Sequence, residues 1–429
     1  MRRLYLAPVN AVLVLLLGLT SLHAAPKPIR MSLTSSASEG MVELGDSVEV
    51  IVVIENRGKV ALTGNLEWEV QTVAFDTPST QRTEVSIEAG KKIESRFAFK
   101  MEQIGFAAAE CRFTLDDGKV FKGRRRVGCE PLKLKVPLTG EPDLDRFWKD
   151  SIHELGKVTP RFELKSMPEL RTAASETFEV TLRSFGDVRV RGWLEVPRSK
   201  GPHPAVIRVP GYGGNMKPVK KWDDMIVFSF NPRGHGNSQD DVPRNPVNYW
   251  IRGLDDKLSY YYRGAYLDCL RAVDFISQRE DVDQDRIAVW GGSQGGGFAM
   301  ATAALDSRID LCVTDIPFLC DWVNYFKLTH WPEMNKWIDA KPERTWASTL
   351  QTLSYFDAMN LAGRIKCPTL MGVGLQDQTC PPTTNFAAYN RIPARKKFWI
   401  YPDFGHGLGR THYARVWEWI RAEFAVGQE

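Results

Sequence analysis

Along residues 40 to 130 apolar and polar positions alternate with a period of two. Val48, Val50, Val52 and Ile54 fall on one face of a predicted strand, and Leu66, Trp68 and Val70 on one face of another. Two more strands are expected near 93–99 and 111–115. Asn56-Arg57-Gly58, Ala89-Gly90 and Asp117-Gly118 read as the turns between them. Short strands at this spacing, with no helical pattern between, predict a small antiparallel, immunoglobulin-like β-sandwich. This stretch carries no paired carboxylates, metal-ligand cluster or nucleophile set. Its expected role is structural, in packing or assembly. Trp68 and several Phe leave a carbohydrate-binding role open, although alternating aromatics are more often core.

Pro131, Pro137, Gly140 and Pro142 read as a linker over 130–142, and beyond it the period changes. A helix is expected over 145–155 and strands over 177–182 and 188–196. Strand-like runs at 205–209, 225–230, 287–290, 311–314, 369–373 and 397–401 then alternate with helical stretches. Ala265, Cys269, Ala272, Val273 and Ile276 form the apolar stripe of one such helix. This alternation predicts an α/β unit with a mainly parallel sheet covered on both faces.

The composition changes the picture little. Of 429 residues, 43% are hydrophobic and 25% charged, which is globular. A net charge of +4, with Arg124-Arg125-Arg126 as the one run of three arginines, does not suggest a nucleic-acid partner. No C-x-x-C pair occurs among seven cysteines, which weighs against a zinc ribbon. Cys111 and Cys129 flank a hairpin turn, while Cys269, Cys312, Cys320 and Cys367 read as buried thiols. At the N-terminus, Arg2 and Arg3 precede an apolar run over 9–19, and Ala24-Ala25 follow. This is the pattern of a cleaved export leader over 1–25, which places the chain in the periplasm or outside the cell. No later stretch is long and apolar enough to span a bilayer.

The strongest chemical signal is Gly291-Gly292-Ser293-Gln294-Gly295. It fits G-x-S-x-G between a predicted strand and a predicted helix, the context of a nucleophile elbow in an α/β-hydrolase. Ser293 is the candidate nucleophile. The fold places the acid and then the histidine after the serine. Asp377 follows the strand at 369–373, and His406, between Gly405 and Gly407, follows the last strand. Asp315 and Asp403 are the lesser candidates for the acid, and His412 reads as a packing or surface residue. Gln294, next after the nucleophile, and Tyr212, in Pro210-Gly211-Tyr212-Gly213-Gly214, are the candidate backbone N–H donors of an oxyanion hole. The Trp-rich segment 322–353 reads as either a pocket cap or a packing element. The expected division is 1–25 leader, 26–135 sandwich and 136–429 α/β-hydrolase.

From Glu141 onward the chain resembles the acetyl xylan esterase / cephalosporin C deacetylase family, carbohydrate esterase family 7-like α/β-hydrolases. The resemblance rests on several long motifs in order. They are Asn231-Pro232-Arg233-Gly234-His235-Gly236-Asn237-Ser238, Tyr260-Tyr261-Tyr262-Arg263, the serine motif through Gly297, Asp315-Ile316-Pro317-Phe318-Leu319-Cys320, Leu353-Ser354-Tyr355-Phe356-Asp357, and Gly374 through Pro382. The resemblance implies Ser293 as nucleophile, Asp377 as acid, His406 as base, and N–H donors at Tyr212 and Gln294. It also implies removal of acetyl groups from sugar hydroxyls or small esters, no cofactor and no metal, and a homo-oligomer, often a ring-like hexamer. Three departures stand out. The family usually has Gln where His235 stands and Glu where Gly407 stands, and it usually lacks the sandwich. Alternatives are a secreted peptidase of the prolyl-oligopeptidase type, a general small-ester carboxylesterase, and a binding protein on a hydrolase scaffold.

Overall fold

The structure, a computed structural model, describes residues 28–72, 79–221, 223–242 and 249–426. The leader expected over 1–25 lies outside these residues. Eight strands come first: β1 (Ile29–Ser35), β2 (Met41–Val42), β3 (Ser47–Asn56), β4 (Leu62–Thr72), β5 (Ser79–Ile87), β6 (Lys92–Lys100), β7 (Gly105–Leu115) and β8 (Val120–Cys129). They form a three-stranded sheet in the order β1-β3-β6 and a five-stranded sheet in the order β2-β8-β7-β4-β5. The period-two residues decide which faces meet. Val48, Val50, Val52 and Ile54 are wholly buried and share a core with Leu66, Phe97, Cys111 and Phe113. Trp68 belongs to that core, stacked on Phe97 with ring centroids 5.6 Å apart, so it is not a sugar platform. Cys111 pairs in register with Gly123, and Cys129 with Gly105. The two thiols therefore do not face each other, and both are free and buried.

The rest of the chain builds a nine-stranded sheet from β9 (Glu163–Ser166), β10 (Ser175–Ser184), β11 (Val188–Pro197), β12 (His203–Val209), β13 (Ile226–Asn231), β14 (Val282–Gly292), β15 (Leu311–Asp315), β16 (Thr369–Gly374) and β17 (Lys396–Tyr401). The order is β17-β16-β15-β14-β12-β13-β11-β10-β9, parallel from β13 to β17 and antiparallel from β9 to β11. The helices are α1 (Leu144–Gly156), α2 (Tyr261–Ser277), α3 (Gln294–Leu305), α4 (Trp322–Leu328), α5 (Pro332–Asp339), α6 (Trp346–Ser354), α7 (Ala358–Leu361), α8 (Pro382–Tyr389) and α9 (Gly409–Glu423). Among the described residues no helix is long and apolar enough to cross a membrane.

The stretch expected as a linker is fastened down. The amide of Asn390 donates to the carbonyls of Pro131 and Leu134, both at 2.9 Å, and Asn360 bonds Thr139. Phe106, from sandwich strand β7, belongs to the core of the α/β part and lies 5.7 Å from the Phe386 ring of α8. The two halves thus share apolar contact as well as chain.

Within the α/β part, a buried ion pair anchors the loop after β13. Arg233 donates to both carboxylate oxygens of Asp268 on α2, at 2.8 and 2.7 Å, and its backbone N–H donates to the same group. The Asp268 side chain is fully buried. Removing one partner strands a buried charge. Arg233→Met is expected to cost about 3–5 kcal/mol of stability, read as a lower midpoint in urea unfolding.

Candidate functional site

In a parallel sheet, loops leaving the carboxyl ends of the strands share one edge, and the crevice opens where strand order reverses. Here β14 lies between β12 and β15, with β16 and β17 beyond. The loops after β12, β14, β16 and β17 carry Tyr212, Ser293, Asp377 and His406 respectively. The register of the sheet therefore brings the sequence candidates to one place.

Ser293 sits between the end of β14 and the start of α3 with φ 58° and ψ −123°. That is an uncommon conformation for a residue with a side chain. Close packing holds it there. The Ser293 N–H donates to the Asp315 carbonyl at 2.9 Å, and its own carbonyl accepts from Gly296, Gly297 and Phe318. A Cβ at Gly295 would stand 2.5 Å from the Val209 carbonyl oxygen, so that position admits only glycine. Helix α3 is buried on nearly every side, which small residues such as Ala299, Ala301 and Ala303 permit.

His406 Nε2 lies 3.0 Å from Ser293 Oγ, and its Nδ1 lies 2.8 Å from Asp377 Oδ2. Asp377 is fully buried, and its other oxygen accepts the N–H groups of Thr379 and Cys380 at 2.8 and 2.9 Å. Both oxygens are thus occupied, and the carboxylate has one orientation. The His406 side chain keeps about a third of its surface open. The Cys380 thiol sits beside this set, and ligand atoms of Asp377, Cys380 and His406 fall within 4.8 Å of one another. Burial pushes the Cys380 thiol well above its ordinary value, so it stays protonated. Oδ2 of Asp377 faces His406 Nδ1 and Oδ1 is held by two backbone N–H groups, so the donor atoms of this set are already engaged within the protein.

The lesser acid candidates are engaged elsewhere. Asp315 accepts from the Trp290 indole at 2.9 Å and lies 2.8 Å from His412 Nε2, an electrostatic contact rather than an aligned hydrogen bond. His412 is fully buried, and its Nδ1 lies 2.8 Å from the Tyr401 hydroxyl. Asp403 accepts from Arg125 at 2.6 Å.

Gln294 is the first residue of α3, where backbone N–H groups lack intrahelical partners. Its side chain is held from behind. The Tyr262 hydroxyl donates to Oε1 at 2.8 Å, and Nε2 lies 2.9 Å from His235 Nε2. That network makes His235 Nε2 an acceptor and puts its proton on Nδ1, facing the Arg233 carbonyl and the Tyr261 hydroxyl. His235 therefore supports the residue next to Ser293. Tyr212 is fixed by its hydroxyl, which accepts from the Tyr249 N–H at 3.1 Å.

Sequence reasoning missed what holds the acid and base loops. The buried Arg126 of β8 donates through Nη1 to the carbonyls of Leu375 and Asp377, at 3.0 and 2.7 Å. The Gln376 amide accepts from the Arg126 N–H at 2.8 Å and donates to the Arg126 carbonyl at 3.0 Å. It also donates to the Pro402 carbonyl at 2.8 Å, and the Gln376 backbone N–H donates to the Phe404 carbonyl. Sandwich, acid loop and base loop meet at one amide. Burial, with Arg124 adding to it, pushes the Arg126 guanidinium down to about 9, still charged at neutral pH. Nothing local announces these contacts; the basic run at 124–126 was the one visible trace.

The family model described as Acetyl xylan esterase (AXE1) matches residues 133–422. The acetyl xylan esterase from Paenibacillus sp. R4 is 35% identical, with a TM-score of 0.64 over 68% of this chain and 98% of that one. Acetyl xylan esterase 1 from Thermoanaerobacterium sp. JW/SL YS485 is 32% identical, with a TM-score of 0.62 over 68% of this chain and 96% of that one. Acetyl esterase Axe7A of Xylanibacter ruminicola is 28% identical over 367 residues, 81% of this chain and 80% of that protein.

Two expectations follow. Ser293→Ala is expected to lower turnover of an aryl acetate about 10⁴-fold or more, and Asp377→Asn about 10⁴-fold, with unchanged circular dichroism. Arg126→Met, which frees the acid loop, is expected to lower kcat about 10- to 100-fold with little change in KM, since small misplacements of catalytic groups are costly. Arg126→Lys is expected to recover part of that loss.

Proposed function

Because the chain belongs to the acetyl xylan esterase family, and is thereby a carboxylic ester hydrolase, we propose that Ser293, His406 and Asp377 remove acetyl groups from acetylated xylan or xylo-oligosaccharides. The observation that carries this reading is the continuous contact from Asp377 Oδ2 through His406 to Ser293 Oγ, at 2.8 and 3.0 Å. His406 takes the Ser293 proton as Oγ bonds to the ester carbonyl carbon. The backbone N–H groups of Gln294 and Tyr212 stabilise the oxyanion, each worth about 3–4 kcal/mol. The C–O bond to the sugar breaks, and His406 returns the proton to the departing alkoxide. Water, deprotonated by the same imidazole, then releases acetate and restores Ser293. Asp377 holds the imidazole tautomer and stabilises its cation.

The proposal includes the division at 135/136 into sandwich and hydrolase, export through the leader at 1–25, and a homo-oligomer measurable by light scattering. The N-terminal pattern of charge, apolar run and small residues supports export. Acetate release from acetylated xylo-oligosaccharides is expected from the mature protein and is expected to vanish in Ser293→Ala. Turnover of aryl acetates without release from the sugar would move the reading to a general small-ester carboxylesterase. Cleavage of peptides would favour the peptidase.

A further inference from the structure

The loop between β15 and α4 has a strained backbone. Ile316, Leu319 and Asp321 take φ values of 38°, 65° and 50°. That is the left-handed region, which residues with side chains disfavour, and Ile316 is β-branched besides. The same loop serves the nucleophile. The Asp315 carbonyl at its start accepts the Ser293 N–H, and the Phe318 N–H donates to the Ser293 carbonyl, both at 2.9 Å. It also lies tight on α3, where a Cβ at Gly297 would stand 2.5 Å from the Phe318 carbonyl oxygen. Backbone strain of this kind persists only where the surroundings enforce it.

Asp357, the residue that caps α7, supplies that constraint. Its side chain is fully buried. Oδ1 accepts the N–H groups of Asp321 and Met359, each at 2.9 Å, and Oδ2 accepts the Trp322 N–H at 3.0 Å. The adjacent Ala358 N–H donates to the Leu319 carbonyl at 2.7 Å. One carboxylate thus ties the start of the Trp-rich segment 322–353 to the stretch that follows its end. The titratable groups around it are Asp321 and Cys320 in the loop and Tyr266 of α2. Burial holds Cys320 and Tyr266 protonated, so neither carries a charge. Burial also raises Asp321, on which Lys327 of α4 acts. Burial first, with the Asp321 charge adding to it, pushes the Asp357 carboxyl up to about 7, against the pull of its three N–H donors. We propose that Asp357 is a positioning residue for Ser293: ionised, it accepts all three N–H groups and keeps the loop strained against the nucleophile, and on taking up a proton it loses part of that hold. A carboxyl O–H faces an N–H where a lone pair stood. The proposal rests on Ser293 as the nucleophile read above and adds a second group through which pH acts on it.

The test measures kcat for an aryl acetate between about pH 5.5 and 8.5 in the wild type and in Asp357→Asn, on the full mature chain. The amide is uncharged, like the protonated acid, so the two enzymes differ in charge only where the wild type is ionised. The ratio of wild type to variant is expected to be about tenfold at the alkaline end, the effect of one charge-assisted contact. It is expected to fall toward one at the acid end, with its midpoint near about 7. KM is expected to change less than about twofold, because the substrate does not touch Asp357. His406 titrates in both enzymes, so its protonation cancels in the ratio. A ratio that stays constant across the range would mean a structural role alone and would overturn the proposal, as would a ratio of one throughout. Should Asp357→Asn not fold, Asp321→Asn gives the same reading from the other side. Asparagine still caps α4, and loss of the neighbouring charge lowers the pH at which Asp357 takes up its proton. Its kcat relative to the wild type is expected to rise about two- to threefold from about pH 8 to 6.5, and an unchanged ratio would overturn the proposal. Ser293→Ala is the control. Turnover surviving in it would overturn the nucleophile and this proposal with it, whereas a flat ratio with turnover lost in Ser293→Ala would overturn this proposal alone.

Discussion

Everything at the site depends on the tight turn that lifts Ser293 off the end of β14. A positive φ at a residue with a side chain persists only where the surroundings over-determine it. Here they do. Four backbone hydrogen bonds pin the residue, and the packing at Gly295 leaves no room for a Cβ. The turn points Oγ out of the sheet edge and buries α3 beneath it. Once that hydroxyl is fixed, the parallel register of β14 to β17 sets how far the acid and base must reach. The loops after β16 and β17 are shaped to that distance.

Those loops are short of support from their own sheet. β17 is the edge strand, and the base loop after it carries glycines at 405 and 407. Support comes from outside, through Arg126 and the Gln376 amide, with Arg125 on Asp403 beside them. The catalytic half alone has the residues for chemistry. Their placement draws on a strand some 250 positions earlier in the chain.

This division explains what was legible in the sequence. Ser293, Asp377 and His406 follow from local signals, a pentapeptide between strand and helix and two residues just past apolar runs. The buried faces of β3 and β4 follow from strict alternation. Strands β1, β5 and β9 did not stand out, because edge strands carry polar residues on exposed faces, and β9 has no buried residue at all. β8 was hidden by its basic run. The role of Arg126 had no local signature, since a hydrogen bond between distant segments leaves no period or motif. His412 read as packing or surface, and it is buried, but its contact with Asp315 was equally invisible for that reason.

The insertion of Phe106 into the core of the α/β part has a consequence for how the molecule comes apart. A ring that belongs to the neighbouring core cannot leave without opening a cavity beside α8, where the acid loop ends. Opening of the sandwich and loss of order at Asp377 therefore belong to one cooperative unit. The chain changes character near 135, but the boundary of cooperativity does not fall there. The sandwich and the loop that carries Asp377 stand or fall together, through Phe106 on one side and Arg126 on the other.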